Sequence, residues 1–587
     1  MILQALNSYY QRLTEREDSD AAPEGFAPQS VSFALQLDGQ GGLLDVLDLR
    51  ELAAKGKKLV PRKMLVPDLG EAKGSGIKPT YLWGNSGYVL GRDDKSKSKR
   101  TADCLKAFRR LHEKLLEYVA APEAAALLRF LRNPPAHDPH IEEKWADMAT
   151  ANLVFRVGRH YLHEIPALRA VWFAKGQNAE DVDAGICLVT GEHTRIAKLH
   201  PFIKGVPGGQ TGGAAISAYN QDSFESFGKK KNFNAPVGKT AAFGYVTALN
   251  YLLSSPEQRL RLGAATVVCW AERDTPLEDN LLPLLNGREA GTGGAEVDTA
   301  SAQERAVVLR RLGRGLPVTE AWPGLDPAVR IYVLALKPNA ARLSVGFFLQ
   351  GSAGEFLESI RSHYANLAIE RRLDADPEFP SVWQITRAVL GKHKDAKDIQ
   401  RLGDELIEGI LSGHAYPAYL LPMCLQRLRS GDNINSVRTG LIKAMLIRNH
   451  AHKEELMSLN TEHPSPAYQL GRLFALLAGV QRKAIGQNIN ADIRDKYYGS
   501  ASSTPAVVFP LLLRNAQHHI SKAKAGGYDK LIRDVLEHID NEFPAHLDLQ
   551  AQGLFALGYY HQRVAKAAKS DDGAMIENTS TAQQQLS

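Results

Sequence analysis

Hydrophobic and polar residues alternate in short runs through the first 350 residues, and alternation of this kind predicts strands with one buried face. Val31 to Leu37 and Leu43 to Leu49 alternate in this way around Gly39-Gln40-Gly41-Gly42, which predicts a hairpin. Tyr81 to Trp83 and Tyr88 to Leu90 bracket Asn85-Ser86-Gly87 in the same manner. Further strands are predicted at Ile186 to Val189, at Thr266 to Trp270, and at Ile331 to Leu336 with Leu343 to Leu349, the last two joined through Lys337-Pro338-Asn339. A helical period places Ala242, Tyr245, Val246, Leu249, Leu252 and Leu253 on one face. Pro276, Pro283 and Gly291-Thr292-Gly293-Gly294 give residues 274–303 the composition of a mobile loop.

After Gly354 the strand runs almost vanish and amphipathic helices separated by Pro and Gly take over. Ser465-Pro466 supplies an N-cap and a first-turn proline, ahead of a stripe of Leu470, Leu473, Phe474, Leu477 and Val480. Tyr528, Leu531, Ile532, Val535, Leu536, Ile539 and Phe543 form a second stripe, ended by Pro544. Stripes of this width are bundle core. The fold class expected is α+β, with a mixed α/β N-terminal region of several short antiparallel sheets followed by an all-α C-terminal helical bundle. The expected organisation is an α+β region at 1–350, a helical connector at 351–456, a bundle at 457–565 and a disordered tail at 566–587.

At 587 residues the chain exceeds one compact core and suggests roughly three or four folding units. Its 44% hydrophobic and 23% charged residues fit a soluble globular protein and exclude a fibrous or wholly disordered class. Apolar runs such as Ala506 to Leu513 fall short of the ~20 residues that cross a bilayer. The start MILQALNSYYQRL lacks the order of a signal peptide, so a cytoplasmic protein with no membrane partner is expected. Cys104, Cys187, Cys269 and Cys424 lie at least 80 residues apart, which encodes neither a disulfide framework nor a zinc knuckle and predicts buried thiols.

A net charge of +6 is too small to imply a polyanion partner, but its distribution is uneven. Arg92 to Lys114 holds nine basic and four acidic residues, Arg195 to Lys239 seven and two, and Arg427 to Lys453 six and one. Three such segments could line one groove, or each could be a solvated face. Gly238-Lys239-Thr240 ends like a phosphate loop, but Phe233 stands where that motif requires Gly. Cys187, His193 and His200 could be imagined as metal ligands, yet Cys-x5-His-x6-His lacks a fourth ligand and regular spacing. No cofactor, no metal and no catalytic residue is expected, and the chain reads as a non-enzyme.

The informative stretch runs from Cys187 to Leu253. Gly205, Gly208, Gly209, Gly212 and Gly213 make a loop whose backbone could approach a duplex or a phosphate chain, with Gln210-Thr211 as polar readers. Phe224 and Phe227 precede Lys229, Lys230, Lys231, Asn232 and Asn234, which joins aromatics, cations and amides, the chemistries of nucleic-acid contact. Lys239 follows at a helix start, a natural anion site. Composition alone leaves a second reading open, an ordinary flexible loop with Phe224 and Phe227 in the core.

These residues also carry a resemblance. CLVTGE, IAKLHPFIKGV, the glycine loop, AYNQDSFESFGKKKNFNAPV and TALNYLL resemble the large subunit of the subtype I-C CRISPR Cascade complex. So do MILQALNSYYQRL at the start, LALKPNAARLSVGFF at 334–348, AYQLGRLFALLAGVQRKA at 467–484, NADIRDKYYGSASSTPAVVFPLLLRNAQHHISK at 490–522 and QGLFALGYYHQR at 552–563. Two departures are mild: Ala218-Tyr219-Asn220 stands for a Val-Ser-Phe-Asn-like run, and Ser226-Phe227-Gly228 for Ser-Tyr-Gly. The resemblance implies a non-catalytic subunit that works with a CRISPR guide RNA and target double-stranded DNA. It would recognise the short duplex motif flanking the target (the PAM), help open the DNA and hold the displaced strand. The implied partners are the Cascade backbone subunit, the subunit that processes and caps the 5′ handle, a helical small subunit, and a recruited helicase-nuclease. The small subunit could be made from an internal start at Met457, preceded by Lys453-Glu454-Glu455, with Met445 as the alternative. Two competing classes are a metal-dependent nuclease built on Cys187, His193 and His200 and a generic single-stranded nucleic-acid-binding protein.

Overall fold

The structure is a computed structural model that describes residues 1–16, 21–53, 58–68, 76–93, 98–177, 184–210, 212–262, 265–285, 299–373, 375–391, 396–452, 456–486, 492–539 and 542–565. The chain forms two compact units. The described residues of the first lie within Met1–Ser255 and Pro338–Ser344; those of the second lie within Pro256–Ala290, Val297–Lys337 and Val345–Ser587.

In the first unit a sheet has the strand order Leu43–Asp48, Phe33–Leu37, Asn152–Val157, Trp83–Asn85, and His160–Tyr161 pairs with Asn152–Val157. The hairpin predicted around Gly39 to Gly42 is present, with Phe33 opposite Asp48 and Leu35 opposite Val46. Most pairs are antiparallel as expected, but Phe33–Leu37 and Asn152–Val157 run parallel. Three helices, Ser98–Leu116, Pro122–Arg132 and Pro139–Met148, lie in the connection between them and give it the length that a parallel crossover needs. The strand predicted at Tyr88 to Leu90 is instead part of a helical turn, Ser86–Val89, because Asn85 caps it by accepting the Tyr88 N–H. The helix Ile2–Glu15 packs on Lys239–Ser254, with Tyr9 edge-on to Tyr251 and Tyr10 edge-on to Phe243. Gly244 permits that approach, since a Cβ there would lie 2.6 Å from Asn7 Oδ1.

In the second unit a four-stranded sheet, in the order Arg259–Leu262, Ala265–Ala271, Arg330–Asn339, Arg342–Ser352, leads into helices. Strands therefore occur in a unit that begins well before the helical region, which starts at Ala353–Leu367. The predicted turn at Lys337 to Asn339 falls slightly later, with Ala340 left-handed at φ 52°. Capping boxes start the helices at Ser352 with Glu355, Ser381 with Gln384 and Asp492 with Asp495. Residues 274–303 are not wholly loop, because Leu281–Leu285 is helical and Leu277, Leu281, Leu282, Leu284 and Leu285 are buried. The helix Thr299–Gly313 follows, and 286–298 lie outside the described residues, as does the expected tail at 566–587.

One buried core runs through this unit from Leu260 to Tyr559. A close crossing joins the helix Pro466–Ile485 to the helix at 549–565. A Cβ at Gly471 would fall on the Phe555 carbonyl oxygen and one at Gly558 on that of Tyr468, so both backbones meet without side chains between them. The described cations of the basic segment Arg427 to Lys453 are engaged within this unit. Arg438 and Lys443 are buried in the helix Ser436–His450, Arg427 pairs with Asp432, and Lys443 Nζ donates to the Ala365 carbonyl at 3.3 Å. Those cations tie helices together. We predict that Gly471→Ala and Gly558→Ala each cost ~3 kcal/mol or more by forcing the helices apart, read as a lower urea midpoint. A wild-type midpoint in both would contradict this crossing.

Candidate nucleic-acid interface

The glycine loop is fastened at both ends within the first unit. Ile203 and Ala214 pair across its neck, exchanging N–H···O bonds of 2.8 and 2.9 Å. Asn250, on the helix Lys239–Ser254, accepts the Lys204 N–H at 2.8 Å. On the other side Ala215 pairs with the hairpin tip, donating to the Ala341 carbonyl at 3.1 Å and accepting from Leu343 N–H at 3.0 Å. Gly208 is left-handed at φ 80°, and a Cβ there would lie 3.1 Å from the Pro338 ring. Gly213 is more constrained, at φ 103° with Phe202 Cβ 2.7 Å from any added Cβ. The loop is thus a shaped turn rather than a slack one. Its crest carries exposed Gly208 and Gln210 with half-buried Gly209, and Thr211 lies outside the described residues.

Beyond the loop, Arg342 holds the strip that leads to the lysines. Its Nη2 donates to Asn220 Oδ1 at 2.7 Å and its guanidinium lies 4.4 Å from the centre of the Phe224 ring. Phe224 is therefore half-buried beneath a cation, neither in the core nor free. Ser226 and Lys229 then bridge to close a tight turn. Asn234 clamps it: Oδ1 accepts the Ser226 N–H at 2.8 Å, and Nδ2 donates to the carbonyls of Lys229 at 2.8 Å and Lys231 at 2.9 Å. Glu225 Oε1 accepts the Lys231 N–H at 3.1 Å. Lys229, Lys230 and Lys231 are exposed around this turn.

The two asparagines thus differ from their sequence roles. Asn234 spends its amide on the turn, and Asn232 is only 1% exposed, so neither presents hydrogen-bonding groups to a base edge in this conformation. Lys239 is exposed at the helix start, but Thr240 Oγ1 donates to Glu24 Oε1 at 2.9 Å, which places a carboxylate at that helix end. Sequence reasoning missed Arg342 and Asn220 as organising residues, because their partners are far apart in the chain and neither sits in a local pattern.

The imagined metal trio is not assembled. Cys187 is buried, with Sγ accepting the N–H groups of Gly238 at 3.2 Å and Val189 at 3.4 Å. Burial raises its thiol, but these bonds and those from Thr190 outweigh it and leave it below its ordinary value. His200 Nδ1 meets the Tyr245 hydroxyl at 2.8 Å, and burial lowers this imidazole to about 4. His193 is exposed. Among the described residues no group of three His, Cys, Asp or Glu is placed to hold a metal. All four cysteines are free and buried, as expected. No described helix is long and apolar enough to cross a membrane.

Fold and site define an α+β protein with a basic, glycine-looped surface in one unit and a helical array in the other. Residues 6–567 match the family model described as CRISPR-associated protein (Cas_Csd1), and the chain belongs to that family, the large subunit of the subtype I-C Cascade complex. As a Cascade protein it works with other Cascade components and nucleic acids. No curated protein gives a significant match. We predict that Asn234→Ala frees the lysine turn and speeds trypsin cleavage after Lys229 to Lys231 severalfold while the thermal midpoint changes little. Unchanged cleavage would show that the turn holds without its clamp.

Proposed function

We propose that this chain is the non-catalytic Cascade subunit that recognises the duplex motif flanking the target, helps to open the DNA there, holds the displaced strand during guide RNA–target pairing and licenses recruitment of the helicase-nuclease. The observation that carries the reading is a shaped glycine crest with exposed Gln210, in the same unit as three exposed lysines. A backbone that bears little side chain can enter a groove, where Gln210 has both a donor and an acceptor for base edges. Ammonium groups on a separate turn suit phosphates, which position a protein without reading sequence. Exposed Lys99, Lys106, Arg110 and Lys114 on the helix Ser98–Leu116 add a second cationic face in this unit.

The test uses the assembled complex and matched duplexes with and without the flanking motif. Gln210→Ala or Gly208→Leu should cost ~1 to 3 kcal/mol of binding on the motif-bearing duplex and erase the preference for it. Replacing Lys229, Lys230 and Lys231 by Ala should weaken both duplexes alike and flatten the salt dependence by about one log–log unit per lost phosphate contact. Wild-type discrimination in the first set would move recognition elsewhere. An unchanged salt slope in the second would make the lysines a solvated face.

We further propose that residues 457 onward are also made separately as the helical small subunit. Met457 is exposed, while Lys453 to Glu455 lie outside the described residues. In the full-length chain this segment shares its core with preceding helices: Ile442 and Leu446 meet Gly553, the Tyr560 hydroxyl donates to the Glu370 carbonyl, and Glu370 N–H donates to that of Met457. A separate product must therefore rebury those faces on a partner. Replacing Met457 by a non-initiating residue should abolish a short band on expression, and its persistence at the same size would exclude this start.

A further inference from the structure

Within the second unit a half-open cavity of about 390 Å³ is lined from the helix Ser436–His450, from the start of the helix Pro466–Ile485 and from the helix at 549–565. Leu446, Ile447, Leu554 and Leu557 make apolar walls. A space of this size, mostly apolar with a few convergent polar groups, has the build of a small-molecule site. Its polar lining is of one kind: an ammonium from Lys443, imidazoles from His452 and His463 and a hydroxyl from Ser465, with no carboxylate among the described lining residues. Lys443 is only 1% exposed and His463 is buried as well, and basic side chains rarely occupy such positions. The Lys443 Nζ donates to the Ala365 carbonyl, a neutral acceptor.

The rings at the cavity are held in place. His452 Nε2 meets Gln550 Oε1 at 3.1 Å, and the His463 ring stacks on Tyr468 with centres 4.4 Å apart. His463 Nδ1 accepts the Ser465 N–H at 3.0 Å, which leaves the proton of the neutral ring on Nε2, a donor. Ser465 is the N-cap of a 20-residue helix and makes no side-chain cap bond, so the positive end of that helix adds to the field. The field is felt beyond the wall. Burial first, and then the charges of Lys443 and His463, push the imidazole of buried His561 down to about 3, and its Nε2 has no partner. We propose that this cavity binds a small amphipathic anion, its apolar body against Leu446, Ile447, Leu554 and Leu557 and its anionic head toward Lys443, His463 and the start of the helix Pro466–Ile485. The inference is independent of the reading of the first unit. Because Lys443, Leu446 and Ile447 precede Met457, the site belongs to the full-length chain and not to a product that starts there.

The test titrates the full-length chain with two fluorescent probes that differ only in charge, 1-anilinonaphthalene-8-sulfonate and 1-anilinonaphthalene. The wild-type chain should saturate with one sulfonate probe per molecule, bind it about tenfold more tightly than the uncharged probe, and release it to excess decanoate. Ile447 is half-buried at the cavity, and Ile447→Trp should fill the space and abolish binding of both probes with little change in thermal midpoint. Lys443→Met keeps the length of the side chain and removes its charge, so it should retain the uncharged probe and lose the preference for the sulfonate. Equal wild-type affinity for the two probes, or binding that never saturates, overturns the proposal without recourse to a variant. Saturable binding that Ile447→Trp leaves intact would mean that the dye adheres elsewhere, and it also overturns the proposal.

Discussion

Arg342 meets the strip at 215–224 in two ways, through a 2.7 Å hydrogen bond to Asn220 and a cation–π contact with Phe224, while its neighbours Ala341 and Leu343 pair with Ala215. Everything exposed in the proposed interface hangs from this clasp. The glycine crest ends at Ala214 and the lysine turn begins at Ser226, so the strip between them sets the spacing of both. A loop of this length without such an anchor would lose its order to conformational entropy, at ~1 to 2 kcal/mol per residue. The anchor is largely backbone pairing, supplemented by one charged side chain that no carboxylate neutralises within the strip.

The same economy governs the polar residues. Asn234 turns three backbone groups inward and leaves the lysines outside, while Asn232 lies buried with both atoms of its own side-chain amide unsatisfied. A buried amide without partners costs ~1 to 3 kcal/mol, so the turn is held against a local penalty. In the helical unit the balance tips the other way. Arg438 is buried but donates to the Ala388 carbonyl and to Asp432, and Arg472 donates to Thr461, Gln469 and Gln562. Buried cations there are held by hydrogen bonds and are structural, whereas the lysines of the 229–231 turn in the first unit are exposed.

Legibility in the sequence followed the range of the interaction. The hairpin around Gly39 to Gly42, the strands at 331–349, the Ser465-Pro466 helix start and the change to helices after Gly354 were readable, because alternation, 3.6-residue stripes and turn residues act between near neighbours. The Tyr88 strand failed on the same local ground, since the Asn85 cap competes with alternation over so short a run. The helix at 281–285 was hidden by the prolines and glycines around it, although its leucines are core.

Family membership was likewise legible, since whole motifs in order survive in the chain. What composition could not decide was direction. Arg427 to Lys453 and Arg195 to Lys239 are both basic runs, yet Arg438 and Lys443 of the first are buried while Lys204, Lys229, Lys230, Lys231 and Lys239 of the second are exposed. Asn232 and Asn234 are two residues apart, and one is buried while the other clamps a turn. Arg342 reaches a strip more than a hundred residues earlier. The sequence by itself determined the elements, the glycines that permit close approach and the cations at hand, because these depend on local periodicity and residue type. Only the tertiary structure decided which cations face solvent and which amide serves the turn, because those outcomes depend on packing and desolvation among residues far apart in the chain.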